Sequence, residues 1–229
     1  MKVFGVLPAA GKGTRFGTEL PKQYQLLAGK PVLEHSISKL LESYELSGFW
    51  VALNAADANW QQLNSDIRAS VHVVDGGTER ADSVRLAIEA IPNACAEDWV
   101  MVHDAVRPLV SPKLVARLLN SLGENEAGAI LALPVYDTVK LADAESRVVK
   151  TLDRTGLWTA QTPQVFRYGL LKEALEATKG DPGVTDEASA MEACGHRVRL
   201  YEGHRNNIKI TCREDLLLAE QLLNLEANT

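Results

Sequence analysis

Residues 7–24, LPAAGKGTRFGTELPKQY, gather the side chains best suited to phosphate chemistry. Gly11 and Gly13 follow a short apolar run, and Lys12, Arg15 and Lys22 come close behind. Glycine lets backbone N–H groups approach an anion, and nearby cations balance its charge. Residues 1–18 hold Lys2, Lys12 and Arg15 and no acid, in a chain of formal net charge −6. That local excess of positive charge favours an anion site over the alternative, an ordinary surface turn. The P-loop pattern GxxxxGK(S/T) is absent, because Gly11 and Gly13 stand too close together. The dinucleotide pattern GxGxxG meets Phe16 at its third glycine, with Gly17 one residue late. It also wants an acid after the second strand, where Leu53-Asn54-Ala55-Ala56 offers none.

A third pattern suits the stretch better: a strand, then PAAGxGxR, then a lysine in PK. Here it reads Pro8-Ala9-Ala10-Gly11, Gly13, Arg15 and Pro21-Lys22. Attack on the α-phosphate of a nucleoside triphosphate builds negative charge on the phosphoryl oxygens and on the departing pyrophosphate. Fixed cations such as Arg15 and Lys22 stabilise that charge without a proton transfer.

Further along, Asp104 stands just past an apolar run at 98–102. A carboxylate there, facing a cationic loop, suits a hard, oxygen-ligated ion such as Mg²⁺; the plainer alternative is a turn aspartate or a partner for Arg107. Arg154 lies in DRTG, where an ion pair with Asp153 competes with a ligand role. Lys209, in the apolar stretch IKI, faces either solvent or an anion. Ser83 and Thr185 also have the chemistry of helix caps. His103 is read as structural, because a phosphate nucleophile is already ionised at neutral pH and needs no general base.

These residues need a scaffold. Apolar runs at 3–7, 48–53, 71–74, 98–102 and 128–135 read as strands. Between them, helical spacing runs from Val32 to Tyr44, around 57–67, from Val84 to Ile91 before Pro92, and over 112–122. Strands alternating with helices predict an α/β fold on a mainly parallel sheet covered on both faces, with ligands beyond the strands' carboxyl ends. The rhythm breaks at 136–166, where TVKLA and RVVKTLD flank the polar DAES and read as a hairpin that projects and pairs with something. A helix at 167–179, a helical DEASAMEAC, a strand RVRLYEG, an extended NIKI and a helix at 213–226 complete the chain.

The bulk numbers exclude some partners. At 229 residues with 46% hydrophobic content, a single domain with a real core is expected over 1–229. An acidic chain lacks the cationic footprint for nucleic acid or an anionic membrane. No uncharged apolar run approaches the ~18 residues of a membrane helix. Cys95, Cys194 and Cys212 have neither metal-ligand nor redox spacing, as expected of reduced cysteines in a cytoplasmic protein.

Six collinear segments together resemble the 2-C-methyl-D-erythritol 4-phosphate cytidylyltransferase family. They are PAAGKGTRFG…PKQY (8–24), DGGTERADSV (75–84), VHDAVRP (102–108), DRTGLWTAQTPQVF (153–166), TDEASAMEACG (185–195) and NIKIT (207–211). The resemblance implies a Rossmann-like nucleotidyltransferase domain with a β-arm at 136–160, exchanged between the subunits of a homodimer. It implies CTP and methylerythritol phosphate as substrates and Mg²⁺ as cofactor. Arg15, Lys22, Arg154 and Lys209 then carry the catalytic charge. The backbone at Ala9, Ala10, Gly11 and Gly13, with Gly77 and Ser83, holds the nucleotide. Asp104 takes the metal, while Ala105, Arg107, Thr138 and Thr185 contact the second substrate, Thr138 and Arg154 from the partner chain. Thr78, Val106 and Asn206 depart from the usual pattern without touching the catalytic set. The fused form with a following synthase domain is not expected in 229 residues. A related activity, cytidylyl transfer to ribitol 5-phosphate or another polyol phosphate, shares most of these motifs.

Overall fold

Apolar side chains on both sides make Val3–Pro8 (β1) a central strand: Val3 and Leu7 enter one hydrophobic layer, Phe4 and Val6 the other. The computed structural model describes residues 1–11, 16 and 20–227. After β1 come a single 3₁₀ turn, Lys22–Tyr24, the paired two-residue strands Leu26–Leu27 (β2) and Lys30–Pro31 (β3), and the helix Val32–Leu41 (α1). Gly48–Leu53 (β4), Ser65–Ala69 (α2), His72–Asp75 (β5), Arg80–Glu89 (α3), Trp99–Val102 (β6), Pro112–Asn120 (α4) and Gly128–Pro134 (β7) follow. Next come Lys140–Ala142 (β8), Val148–Thr151 (β9), Trp158–Arg167 (β10), Tyr168–Ala177 (α5), Glu187–Ala193 (α6), Arg199–Glu202 (β11) and Arg213–Ala227 (α7).

The main sheet has the order β11-β7-β10-β6-β1-β4-β5. Neighbours pair in parallel except β10, which runs antiparallel to both β6 and β7. One hydrophobic layer joins the sheet to α1 and α4, the other to α3, α5 and α6, and a smaller cluster seats α7 near β2. The fold is therefore α/β, with a mostly parallel sheet covered on both faces.

The helix expected around 57–67 divides into a 3₁₀ turn at Trp60–Gln62 and the short α2. The carboxylate of Asp57 takes the N–H groups of Asn59 and Trp60, and the Asn64 side chain takes that of Asp66. These local acceptors offer the backbone an alternative to one continuous helix. The NIKI stretch forms no strand; Ile210 N–H bonds instead to the Val106 carbonyl. Segment 136–166 holds two different things. β8 and β9 pair as a separate two-stranded sheet, while β10 enters the centre of the main sheet. Because β10 runs against its neighbours, the arm leaves from Pro134 and returns at Trp158, at the edge where the parallel strands end.

Candidate active site

Three strand ends bring three loops together. Ala9 to Gly11 follow β1, Gly76 to Glu79 follow β5, and His103 to Arg107 follow β6. They line a cleft of about 590 Å³, solvent mouth included, joined by Lys22 and Lys209. The first loop is held by Ala9 N–H on the Ala52 carbonyl, 2.8 Å. The buried Gln23 donates to the carbonyls of Ala9, 3.0 Å, and Gly11, 3.4 Å. Gln23 thus ties the PK half of the opening motif to its glycine half.

The second loop packs against the first so closely that only glycine fits. A Cβ on Gly76 would lie 2.5 Å from the Ala10 Cβ, and one on Gly77 2.2 Å from the Asp82 Cβ. Ser83, inside α3, accepts from Gly77 N–H and donates to the Glu79 carbonyl, both 3.1 Å. Its hydroxyl fixes the loop. The capping reading of Ser83 and Thr185 does not hold: Glu79 precedes α3, and Asp186 caps α6.

Asp104 sits at the head of the third loop among three cations. Its Oδ1 accepts from Arg80 Nε at 3.0 Å, and its Oδ2 lies 3.4 Å from Arg107 Nε and 2.9 Å from Lys209 Nζ. Burial pushes this carboxyl up, but Arg80, Lys209 and Arg107 together hold it well below the usual carboxylate range. Arg80 also reaches Glu187 Oε1 at 2.6 Å. Against desolvation, Glu187 and Asp104 raise the Arg80 guanidinium above its ordinary value. Burial pushes Glu187 itself up, opposed by Arg80.

Beneath Asp104 runs a chain of three hydrogen bonds. Asp104 N–H donates to Thr162 Oγ1 at 3.0 Å, Thr162 meets His103 Nδ1 at 2.9 Å, and His103 Nε2 meets the Arg107 carbonyl at 3.0 Å. A carbonyl only accepts, so Nε2 carries the imidazole proton and Thr162 donates to Nδ1. Full burial pushes His103 down from the usual 6.5 to about 4, against the Arg107 carbonyl. Arg107 Nη1 donates to the Asn207 carbonyl at 2.7 Å, and Asn207 Nδ2 donates to the Thr162 carbonyl at 2.8 Å. The β10 residues therefore lock the Asp104 loop to the loop carrying Lys209.

Of the expected site residues, Ala9, Ala10, Gly11, Lys22, Gly77, Ser83, Asp104, Ala105 and Lys209 share the cleft. Gly13 and Arg15 lie outside the described residues, as does Lys12. Arg107 is turned into the hydrogen-bond network. Thr185 lines a neighbouring cavity that shares Glu79 and Arg80 with the cleft. Thr138 and Arg154 are exposed at the arm, away from this chain's cleft. Arg154 donates to the Tyr136 carbonyl, while the Asp153 carboxylate takes the Thr155 N–H. Sequence reasoning missed Arg80, Glu187, Thr162, Gln23 and Asn207. Arg80 lies within DGGTERADSV, but a basic residue after a double glycine gives no sign of its partners.

The chain is similar to known proteins over nearly its whole length. The sequence profile of the family described as IspD, 2-C-methyl-D-erythritol 4-phosphate cytidylyltransferase, matches residues 3–225. A protein of that name from Azoarcus sp. is 46% identical over 226 residues, covering 96% of this chain and 94% of its own. Another from Dechloromonas aromatica is 45% identical, with 96% of each chain covered. The crystal structure of Francisella tularensis 2-C-methyl-D-erythritol 4-phosphate cytidylyltransferase superposes with a TM-score of 0.80 at 34% identity, covering 96% of this chain and 99% of its own.

Proposed function

We infer the reaction from one premise: the chain belongs to the 2-C-methyl-D-erythritol 4-phosphate cytidylyltransferase family. It is a nucleotidyltransferase that converts CTP and 2-C-methyl-D-erythritol 4-phosphate to 4-diphosphocytidyl-2-C-methyl-D-erythritol and pyrophosphate. The observation that carries this reading is the cleft in which Asp104, Lys22, Lys209 and the backbone from Pro8 to Gly11 face one space.

The substrate phosphate attacks the α-phosphorus in line. A new P–O bond forms as the bond to the β-phosphate oxygen breaks, and pyrophosphate leaves. The attacking phosphate monoester has its second pKa near ~6, so it arrives ionised. Lys22, together with Arg15, meets the charge that grows on the triphosphate. The backbone at Ala9, Ala10, Gly11, Gly13 and Gly77 holds the nucleotide, with Ser83 acting through its bond to Gly77. Lys209 orients the attacking phosphate, and Ala105 and Thr185 complete its surroundings. Arg107 serves by anchoring the loop of Lys209.

A single carboxylate held ionised at the cleft edge suits Mg²⁺, which takes one or two carboxylates and completes its shell with phosphate oxygens and water. Among the described residues no cluster of three or more His, Cys, Asp or Glu could hold a metal by itself. Asp104 is therefore the residue that would hold the ion. When bound, it would share the negative charge of the phosphates.

The homodimer is supported by the arm. Tyr136, Leu141, Val148 and Val149 are 44–64% exposed on a segment that leaves from the site's own edge. Exchange of arms would bring the partner subunit's Thr138 and Arg154 to the second substrate. A cytoplasmic location fits three free cysteines and, among the described residues, the lack of any helix long and apolar enough to cross a membrane.

The test is steady-state pyrophosphate release from CTP in Mg²⁺ with and without methylerythritol phosphate. Release that requires both substrates is expected, and none above background would overturn the reading. Lys22→Ala should lower kcat by about 10²–10³-fold, the scale for losing one transition-state charge contact.

A further inference from the structure

The ions around Asp104 are out of balance. Among the described residues, ion pairs join three cations, Arg80, Arg107 and Lys209, to two carboxylates, Asp104 and Glu187, so this cluster carries one surplus positive charge. The Asp104 side chain is only 7% exposed, so water screens this surplus poorly. A bare divalent cation approaching Asp104 would meet net repulsion. A cation already chelated by a triphosphate would not, because that complex is itself an anion and is drawn to the surplus.

Arg80 is the member with no other evident purpose. It occupies the first turn of α3, where a cation opposes the helix dipole. It spans two carboxylates, with Nε on Asp104 and Nη1 on Glu187. Glu187 is fully buried; among the described residues its Oε2 has no hydrogen-bond partner and its one ion pair is with Arg80. A carboxylate buried at that cost is explained by its grip on the guanidinium, which fixes the Arg80 fork against Asp104 Oδ1.

We propose that Arg80, clamped by Glu187, is a positioning residue that keeps Asp104 closed to free divalent cations and open to a metal–nucleotide complex. The inference rests on Asp104 being the metal carboxylate of the reaction above. Arg80 holds the carboxylate in one orientation and supplies the charge that rejects an unchelated ion. The metal then enters only with its nucleotide, and Asp104 is not trapped by a cation that brings no substrate.

The test uses Mn²⁺ as the probe, read by the loss of its free electron-paramagnetic-resonance signal. Nucleotide-free wild-type enzyme should leave the signal undiminished, and CTP should bring Mn²⁺ onto the protein. Arg80→Gln should give the nucleotide-free enzyme a new Mn²⁺ site, at least about tenfold tighter than any in wild type. Adding Asp104→Asn should abolish that site. Arg80→Lys, which keeps the charge but loses the fork, should bind no free Mn²⁺ and should lower kcat/KM for CTP. If Arg80→Gln fails to fold with Glu187 left alone, Lys209→Gln, which removes one cation and leaves the Arg80–Glu187 pair intact, should gain the same kind of site. Tight Mn²⁺ binding by nucleotide-free wild type would overturn the proposal, as would a folded Arg80→Gln or Lys209→Gln variant that gains no site. If wild type makes the cytidylyl product while Arg80→Gln and Lys209→Gln stay blind to Mn²⁺, this inference falls and the reaction stands.

Discussion

Replacing His103 by glutamine tests whether the loop of Asp104 rests on a neutral histidine. In the fold the imidazole is fully buried, bridges Thr162 and the Arg107 carbonyl, and is pushed from 6.5 to about 4. The unfolded chain binds a proton there below pH 6.5, while the folded chain resists it until about pH 4. The neutral histidine's contribution is therefore complete above 6.5 and is lost as the pH falls towards 4. Between pH 7 and pH 5 the linkage removes about 2 kcal/mol from wild type, rising to about 3 kcal/mol below pH 4. His103→Gln lacks that proton site. At pH 7 it should be less stable by about 1–3 kcal/mol, the scale of unmade buried hydrogen bonds. Urea unfolding of both proteins at pH 7 and pH 5 reads the difference, since every other titrating group is shared. The gap should close by about 2 kcal/mol at pH 5. An equal gap at both pH values would refute the reasoning and mean that His103 takes its proton in place.

Gly76→Ala should push the Ala10 loop outward and raise KM for CTP by about tenfold, with a stability loss of about 1–3 kcal/mol from overpacking; unchanged CTP kinetics would show that the two loops are not in contact. Arg167 donates to the carbonyls of Glu97, Gly123, Glu124 and Glu126 and stacks on Trp99 at 3.8 Å. Arg167→Met should cost about 3–5 kcal/mol in urea unfolding and leave kcat of the folded enzyme near wild type, and a loss below about 1 kcal/mol would contradict that staple. Deleting residues 137–153 should convert a sedimenting dimer to a monomer and abolish turnover, whereas an intact, active dimer would remove the arm from the site.

What the sequence reveals and conceals follows from burial. Strands such as β1 and β4 are covered on both faces, so they read as plain apolar runs. The opening loop was legible because glycines and cations in an acid-free stretch have few other uses. β10 was not legible as a strand, although it is central. Its WTAQTPQVFR is polar and interrupted by Pro163, at a register shift between Ala160 and Gln164. Thr162 and Gln164 are buried there because they hold the loop of Asp104 and the start of α6. The polarity that disguises the strand thus supports the site. Arg80 and Glu187 were hidden for a related reason. In sequence each resembles a solvated charge at a helix start, and only the packing of α3, α5 and α6 brings the half-buried Arg80 onto the fully buried Glu187.

The account's central claim is cytidylyl transfer to methylerythritol phosphate. It is tested most directly by supplying CTP and Mg²⁺ with either that substrate or ribitol 5-phosphate and following the diphosphate product by phosphorus NMR. The account predicts the cytidyl diphosphate of methylerythritol, with kcat/KM at least about 100-fold above that for ribitol 5-phosphate. Equal use of the two polyol phosphates, or preference for ribitol 5-phosphate, would contradict it.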